Sequence, residues 1–349
     1  MEARSESAEV LTGPDGLPLG PGAYCPIPQA TIHYFAPNQP PWLLRGIGQV
    51  PDQGLLWIDF ERGRAQGWEC WIEPILGVAI EPEHVEDAMA DAHPSIFDGT
   101  PQYDILVFEG LGPGSAPLPI QTRCAAFFLF ERVLVTVRTA DSASFELAKQ
   151  RLAAMRGRWP QTPLQLAHFV LDLMVDRYLA VRDRLDAEFT RLQDELLDPK
   201  HPMRDWRALL VGRREVRKLE SLSEAQSEAL DAWRRNSCFD WTPADEVRVR
   251  DLIEHVGRVR AHAGDLQRDL EAAVQLHFAS LSHRTNEIMR IFTVVSVVFM
   301  PPMLLTGIWG MNFKFMPELE WRYGYPLALT AVFGVCIGML VWFKRRRLF

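Results

Sequence analysis

Two long apolar runs near the end of the chain constrain its fold more than any other feature. They extend from Ile291 to Trp309 and from Tyr325 to Phe343, and neither contains Lys, Arg, Asp or Glu. About 20 consecutive apolar residues are needed to cross the ~30 Å hydrocarbon core of a bilayer. We therefore predict two membrane-spanning helices behind a large polar body.

The basic residues that flank these runs predict the orientation of the chain in the membrane. Lys344–Arg347 follow the second run, and Arg284 and Arg290 flank the start of the first. Basic flanks stay on the cytoplasmic side of a membrane. The connecting loop, 310–324, holds two basic and two acidic residues and can cross. We expect a multi-pass protein of the cell's inner (plasma) membrane with both termini in the cytoplasm.

Composition argues against several other classes of protein. The chain has 349 residues, a net charge of -8 and five cysteines without CxxC spacing. This cysteine pattern predicts neither a disulfide framework nor a zinc ribbon. The sequence also lacks HExxH, P-loop and GxSxG motifs. We therefore expect no enzyme, no bound cofactor and no nucleic-acid partner.

The polar body divides into a mixed domain followed by helices. Residues 1–50 are rich in Pro and Gly, which predicts a loop-like N-terminal segment. Residues 51–158 combine apolar runs typical of strands with a predicted helix at Glu81–Ala92, the pattern of an α/β domain. The predicted strands are Leu55–Phe60, Asp104–Glu109, Cys124–Phe130 and Val133–Val137. Two helices are expected at roughly 163–198 and 203–236.

The most regular segment begins after Pro243. Apolar residues recur at alternating spacings of three and four, which is a heptad seam typical of a helix packed along its length. The seam consists of Val249, Leu252, Val256, Val259, Ala263, Leu266, Leu270 and Ala273. One helix over 243–308 would measure about 100 Å. The alternative is a break near Ser282 that separates a cytosolic stalk, within 159–287, from the first span at 288–309.

One face of the first span gathers small and polar residues. The residues at spacings of three and four are Asn286, Met289, Thr293, Ser296, Met300, Met303 and Gly307. Polar residues in membrane helices tend to face the bundle interior or a water-filled path. Because two spans cannot enclose a path, this interpretation requires several copies of the chain. Plain helix–helix packing is an alternative explanation.

The loop between the spans contains a specific pair of motifs. Gly310-Met311-Asn312, followed by Met316-Pro317-Glu318-Leu319, resembles the CorA family of magnesium and cobalt transporters. The resemblance is strong over the last seventy residues. It extends through Thr285-Asn286-Glu287, Met300-Pro301, Tyr323-Gly324-Tyr325-Pro326 and the basic C-terminus.

The resemblance implies an α+β fold that assembles as a homopentameric funnel. An N-terminal cytosolic α/β domain would be followed by a long helical stalk and two C-terminal transmembrane helices, with 325–343 as the second span and 344–349 as a basic tail. The expected partners are further copies of the chain, the lipid bilayer and divalent cations, which would be substrate and regulator.

The resemblance also assigns roles to residues of the membrane part. Gly310, Met311 and Asn312 would form the selectivity filter, where amide oxygens accept hydrogen bonds from the water shell that Mg²⁺ sheds reluctantly. Glu318 and Glu320 would supply a negative field at the outer mouth. Met289 and Phe292 would form a hydrophobic constriction that gates by dewetting.

In CorA relatives, acidic residues of the cytosolic part bind a regulatory cation between neighbouring subunits. The corresponding residues here are Glu86 and Asp87 in the predicted helix, and Asp251 near the start of the stalk. A bound cation would relieve like-charge repulsion and hold the pore shut. The alternative is that these residues are solvated surface acids.

Two residues depart from the family pattern. Met303 stands where many relatives have threonine, and Lys314 stands where many have an acidic residue. Because thioether sulfur is a soft ligand, a zinc or transition-metal transporter of the same fold, with or without proton coupling, is an alternative. A cytosolic interaction module that is only tethered to the membrane is a further one.

Overall fold

A computed structural model describes residues 29–37, 39–44, 46–113, 119–157, 159–198, 206–311 and 321–346. The chain forms two compact units, Met1–Glu271 and Ala272–Phe349. The first unit contains a sheet with helices on both faces, and the second contains two apolar helices. These elements confirm the predicted fold class of a mixed domain, a long helix and two apolar C-terminal helices.

The first unit is built on one seven-stranded sheet with the order β2-β1-β3-β7-β6-β5-β4. The strands are β1 Ala30–Phe35, β2 Trp42–Leu44, β3 Leu55–Glu61, β4 Ile96–Gly99, β5 Asp104–Leu111, β6 Thr122–Leu129 and β7 Val133–Arg138. Only β3 and β7 pair in parallel, in a register that sets Ile58 opposite Val135, and the other pairs are antiparallel.

Both faces of the sheet are covered, which explains why its central strands are continuous apolar runs. Successive side chains point to opposite faces, so Ile58 and Phe128 enter one core while Trp57 and Phe127 enter the other. Helices α1 (Trp68–Leu76) and α2 (Pro82–Met89) pack on the first face. The second face is covered by residues of four longer helices.

These four helices are α3 Ala143–Ala154, α4 Pro163–Leu197, α5 Trp206–Asn236 and α6 Pro243–Trp309. Helix α6 is continuous over 67 residues, which confirms the prediction of a single helix without a break near Ser282. All eight residues of the heptad seam are buried. By contrast, every residue from Phe278 to Thr293 is exposed.

The second unit contains the two candidate membrane spans, the end of α6 and helix α7 (Gly324–Arg345). Both helices contain windows with a mean hydropathy of 2.1, and only 17% and 6% of those windows is buried. A core helix of a soluble protein would be mostly buried, so these helices behave as membrane spans. Their mutual contact is a small cluster of Val294, Val298 and Phe343, with Cys336 and Met339 packed against it.

The sequence interpretation was wrong for part of the N-terminal segment. Residues 1–28 lie outside the described ranges, but β1 and β2 occupy 30–35 and 42–44, where we expected loops. The β-forming residues of β1 are flanked by Pro and Gly, so segment composition concealed them. They form a strand because the buried strand β3 needs a partner on each edge. Helix α1 and strand β4 were also not anticipated.

Candidate functional site

The small and polar stripe of α6 is fully accessible in the single chain. Asn286, Thr293, Ser296 and Gly307 are exposed, and Met289, Met300 and Met303 expose 61%, 70% and 71% of their surfaces. Phe292 lies at the edge of the stripe and exposes 70%. Among the described residues of the second unit, 272–311 and 321–346, none therefore covers the face that the sequence singled out.

The stripe lies on the side of α6 that faces away from α7. Helix α7 contacts α6 through Val294 and Val298. At 3.6 residues per turn, Val294 and Val298 lie about 140° and 180° around the helix from the centre of the stripe. The second span thus packs behind the first and leaves the polar stripe available to other molecules.

The hydroxyl groups of the stripe are bonded to the helix backbone. Thr293 Oγ1 donates to the carbonyl of Met289 at 2.8 Å, and Ser296 Oγ donates to that of Phe292 at 2.9 Å. Because the hydroxyl proton is used in this bond, the oxygen presents lone pairs to its surroundings. Both groups can therefore accept hydrogen bonds from water or from the hydration shell of a cation.

The filter motif begins at the last turn of α6. The Gly310 N–H donates to the Thr306 carbonyl at 2.9 Å, and the Met311 N–H donates to that of Ile308 at 3.2 Å. The remaining predicted residues of this region, Asn312, Glu318 and Glu320, lie outside the described residues, so their roles stay predictions. Pro301 and Pro302 lie within the helix a little over two turns before the motif.

A second candidate site lies in the first unit, where α4 and α6 bring two carboxylates and an imidazole together. One ligand atom each from Asp172, Asp176 and His255 lies within 4.8 Å of the others. All three side chains are half-buried. We call this group the α4/α6 cluster. Carboxylate oxygens suit Mg²⁺ and Ca²⁺, whereas imidazole nitrogen suits Zn²⁺, Ni²⁺ and Cu²⁺.

The α4/α6 cluster adjoins a residue that the sequence analysis named. His255 Nε2 lies 3.6 Å from Oδ1 of Asp251, one turn earlier on α6. The other ring nitrogen, Nδ1, is buried and has no hydrogen-bond partner among the described residues. A carboxylate on one nitrogen of a histidine commonly orients the ring for a metal on the other. Asp251 lies close enough for this orienting role, but at 3.6 Å its contact with His255 is an ion-pair distance and not a hydrogen bond.

The local electrostatics disfavour two ionised carboxylates in this cluster. Burial, followed by the charge of Asp176, raises the pKa of Asp172. Nearby, burial lowers the pKa of His168, although its Nε2–H donates to the Arg248 carbonyl at 3.1 Å. His168 therefore supplies little positive charge at neutral pH, and a cation bound by the cluster would relieve the repulsion.

The other predicted sensor residues lie on α2. Asp87 Oδ1 is 3.2 Å from Nε2 of His93, and both side chains are partly exposed. Glu86 is exposed. Within the described residues of one chain, Asp87 and Asp251 each pair with their own histidine and not with each other. Their predicted meeting across a subunit boundary is not tested by a single chain.

Asp172, Asp176 and His255 were not predicted as site residues from the sequence. Asp172 and Asp176 have the spacing of four that places two residues on one face of a helix, and His255 lies four residues after Asp251. These two signals are separated by about eighty residues, and only the packing of α4 against α6 joins them.

Comparison with known proteins identifies close counterparts of this architecture. The family model described as "CorA-like Mg2+ transporter protein" matches residues 52–345. The cobalt/magnesium transport protein CorA of Thermotoga maritima is 26% identical over 186 residues, about half the length of each chain. The complete structure of the CorA magnesium transporter from Methanocaldococcus jannaschii matches with a TM-score of 0.75 at 17% identity, covering 90% of this chain and 97% of that one. The ZntB cytoplasmic domain from Vibrio parahaemolyticus matches with a TM-score of 0.58 at 12% identity, covering 74% and 98%.

Proposed function

The chain belongs to the family of CorA-like Mg²⁺ transporter proteins, and from this membership we propose that it conducts divalent metal cations through a membrane as a ring of identical chains. Mg²⁺ and Co²⁺ are the first candidate substrates, with Ni²⁺ and Zn²⁺ as further candidates. Members of this family are transport proteins and not enzymes.

The observation that carries this proposal is the exposed stripe of α6, opposite the face that packs on α7. A lipid-facing helix has no need of amide and hydroxyl groups on one face, and polar groups in spans face the bundle interior or a water-filled path. A ring of several copies, with α6 towards a common axis and α7 outside, would place the polar stripe along the path and the opposite face of α6 against α7. We take five copies, as the family resemblance implies.

The cytosolic continuation of α6 supports self-association independently. From Phe278 to Glu287, before the first span begins, every residue of the helix is exposed, and Phe278 and Leu281 expose 58% and 44% of their surfaces. Large exposed apolar residues in a continuous stretch indicate a surface that other protein covers. Neighbouring copies of the same helix around the axis would cover it.

The proposed path suits a cation that keeps its water shell. Thr293 and Ser296 offer oxygen acceptors whose protons are held by the backbone, and Asn312 would add a ring of amide oxygens at the outer end. Such neutral groups bind the hydration shell weakly, and conduction requires weak sites. Glu318 and Glu320 would attract cations to the mouth, and Met289 with Phe292 would form the constriction.

We place the basic ends of both spans on the cytoplasmic side of the inner membrane and the loop 310–324 outside, following the distribution of Lys and Arg. In this orientation the first unit lies in the cytoplasm. Cytosolic cation binding at Glu86, Asp87 and Asp251 would then hold the ring closed. The α4/α6 cluster, which adjoins Asp251, is the cation site that the contacts within one chain support best.

A zinc or transition-metal transporter of the same fold, with or without proton coupling, is the second candidate. The imidazole in the α4/α6 cluster and the thioethers of Met300 and Met303 favour softer cations. The fold likeness to the ZntB cytoplasmic domain is consistent with it. A membrane-tethered interaction module is less well supported, since a tether needs no polar stripe.

Cation flux into proteoliposomes tests the proposal. Purified protein should take up Mg²⁺, Co²⁺, Ni²⁺ or Zn²⁺ down a gradient, and the order of rates distinguishes the two transport candidates. Asn312→Ala should abolish flux and leave the assembly intact in native mass spectrometry. Asn236→Ala, the same change at the end of α5, is the matched control and should conduct normally.

Two results would contradict the proposal in different ways. A monodisperse monomer or dimer would remove the multi-chain path altogether. An intact ring in which Asn312→Ala conducts at the normal rate would show that the filter lies elsewhere.

A further inference from the structure

The two membrane helices bring a concentration of positive charge to one end of the second unit. In the sequence, six basic residues flank this end of the two apolar runs, Arg347 among them, and Glu287 is the one acidic side chain between Arg284 and Arg290. Five of the six are described, and all five are exposed: Arg284, Arg290, Lys344, Arg345 and Arg346. We call these five residues the basic collar. Within the described part of the chain, none of them forms an ion pair.

Helix packing places the basic collar at a single membrane level. Phe343 packs in one cluster with Val294 and Val298, so the end of α7 lies beside the start of the first span. Lys344 follows Phe343 directly, and Arg290 precedes Val294 by one turn, about 5.4 Å. The basic groups of both helices therefore lie at the same end of the spans.

The arginines of α6 do not face the proposed ion path. At 3.6 residues per turn, Arg284 and Arg290 lie about 140° and 100° around the helix from the centre of the polar stripe. Their charges are thus directed towards α7 and the surrounding lipid. A role as a charge barrier to cations in the path would require the opposite direction.

Aromatic residues fix the depth of the collar. Trp342 exposes 54% of its surface, and the guanidinium of Arg346 lies 5.7 Å from the centroid of its ring. The 18 residues from Tyr325 to Trp342 span about 26 Å along the helix, close to the ~30 Å hydrocarbon thickness. Because tryptophan and tyrosine favour the two interfaces, the residues that follow Trp342 reach the level of the lipid phosphates.

We propose that the basic collar binds the headgroup phosphates of anionic phospholipids in the leaflet on its side of the membrane, in preference to zwitterionic lipids. Guanidinium and ammonium groups form charge-assisted hydrogen bonds with phosphate oxygens. Clusters of basic residues directly beside a span recognise anionic headgroups in this way. The proposal goes beyond cation conduction and depends on the two spans but not on any ion path.

The test uses the purified full-length protein in detergent, where topology cannot change the outcome. Phosphatidylglycerol and phosphatidylcholine with the same acyl chains are added separately, and bound lipid is counted by native mass spectrometry alongside the thermal midpoint. We expect phosphatidylglycerol to bind and to raise the midpoint more than phosphatidylcholine does. Free glycerol phosphate at the same concentration should have no such effect, which distinguishes a lipid from a soluble anion.

Neutralising the collar should remove this preference. Each basic residue near an anionic surface contributes about a factor of five in binding, so Lys344→Gln/Arg345→Gln/Arg346→Gln should weaken phosphatidylglycerol binding about a hundredfold. The matched control removes three exposed arginines of the first unit, Arg214→Gln/Arg258→Gln/Arg260→Gln, and should bind as wild type. If the triple collar variant does not assemble, Arg284→Gln/Arg290→Gln should weaken binding about twenty-fivefold.

Three outcomes would overturn the proposal: equal binding of the two lipids by the wild type, an unchanged preference in the collar variants, or an equal loss in the control. Cation flux enters none of these measurements, so their failure is separate from a failure of the proposed transport function.

Discussion

Replacing Asp172 by asparagine should change the stability of the protein in opposite directions with and without metal. The substitution keeps the shape of the side chain and removes one of two carboxylates whose ligand atoms lie within 4.8 Å. At that distance the repulsion is about 0.9 kcal/mol at a dielectric constant of ~80 and about 3.5 kcal/mol at ~20. Because Asp172 is half-buried, we expect about 1–2 kcal/mol to be released.

Without divalent cations, Asp172→Asn should therefore unfold at a higher temperature than wild type. For a unit of this size, 1–2 kcal/mol corresponds to a rise of about 2–8 °C. With zinc or cobalt at a hundredfold excess over Kd, the wild type should gain about 2.7 kcal/mol. The variant, which lacks one ligand, should gain much less, so the order of the two midpoints should reverse or the gap should close.

The pH dependence gives an independent check of the same repulsion. Burial and Asp176 raise the pKa of Asp172 in the folded chain, above an unfolded value of about 3.9. The folded chain then holds the Asp172 proton more tightly than the unfolded chain does. The stability that this proton contributes is therefore fully present below the unfolded pKa and is lost as the pH rises through the folded pKa. In EDTA, the advantage of Asp172→Asn should be largest near neutral pH and should shrink as the medium is acidified.

The assay is thermal unfolding of the purified full-length protein in EDTA, Mg²⁺, Co²⁺ and Zn²⁺. The control is Asp183→Asn, the same change on the same helix at a side chain that is 88% exposed, and it should alter neither midpoint. The reasoning is refuted if Asp172→Asn gives no stabilisation in EDTA and retains the full metal-dependent shift. The three residues would then be ordinary half-buried polar groups.

Two further predictions concern the sheet and the stripe. Asp59 is buried and accepts hydrogen bonds or ion pairs from Thr136, Arg138 and Lys149. Asp59→Ala should leave the buried Arg138 with the half-exposed Glu146 as its remaining acidic partner and lower the free energy of unfolding by about 3 kcal/mol; a loss below 1 kcal/mol in denaturant unfolding would contradict this. Met303→Thr should raise the Mg²⁺ flux relative to that of Zn²⁺, because it replaces a soft thioether on the stripe by a hydroxyl oxygen. The control, Val295→Thr, is a similar polar substitution about 120° off the stripe and should leave the flux ratio unchanged. Equal effects of the two substitutions on the ratio would argue against a path along the stripe.

The parts of the fold that were predictable from sequence are those with a local pattern. Strands β3, β5, β6 and β7 read as apolar runs because helices cover both faces of the sheet. The seam of α6 was visible because its period of 3.5 residues persists for more than three heptads. Strand β1 was missed because its six residues lie among Pro and Gly, and its pairing with β3 depends on a distant segment.

One candidate site likewise follows from a local sequence pattern, and the other depends on the packing of distant segments. The stripe from Asn286 to Gly307 follows helical spacing, so the face itself was predictable. All of its seven residues are exposed in the single chain. The α4/α6 cluster was not predictable, since no spacing rule relates Asp176 to His255. Asn312 was assigned through the motif resemblance, and because it lies outside the described residues it stays a prediction.

On the proposed function, the two sites respond to different properties of a cation. A hydrated ion in the path would meet neutral oxygens at Thr293 and Ser296 and thioethers at Met300 and Met303, none of which can replace its water shell strongly. Passage would therefore depend mainly on charge and hydrated size, and the thioethers would add a smaller preference for softer cations. The α4/α6 cluster offers two carboxylates and an imidazole nitrogen, so occupancy there would depend on ligand softness as well. A cation can thus be a good substrate and a poor regulator, or the reverse, which is why flux and metal-dependent stability need to be measured with the same set of ions.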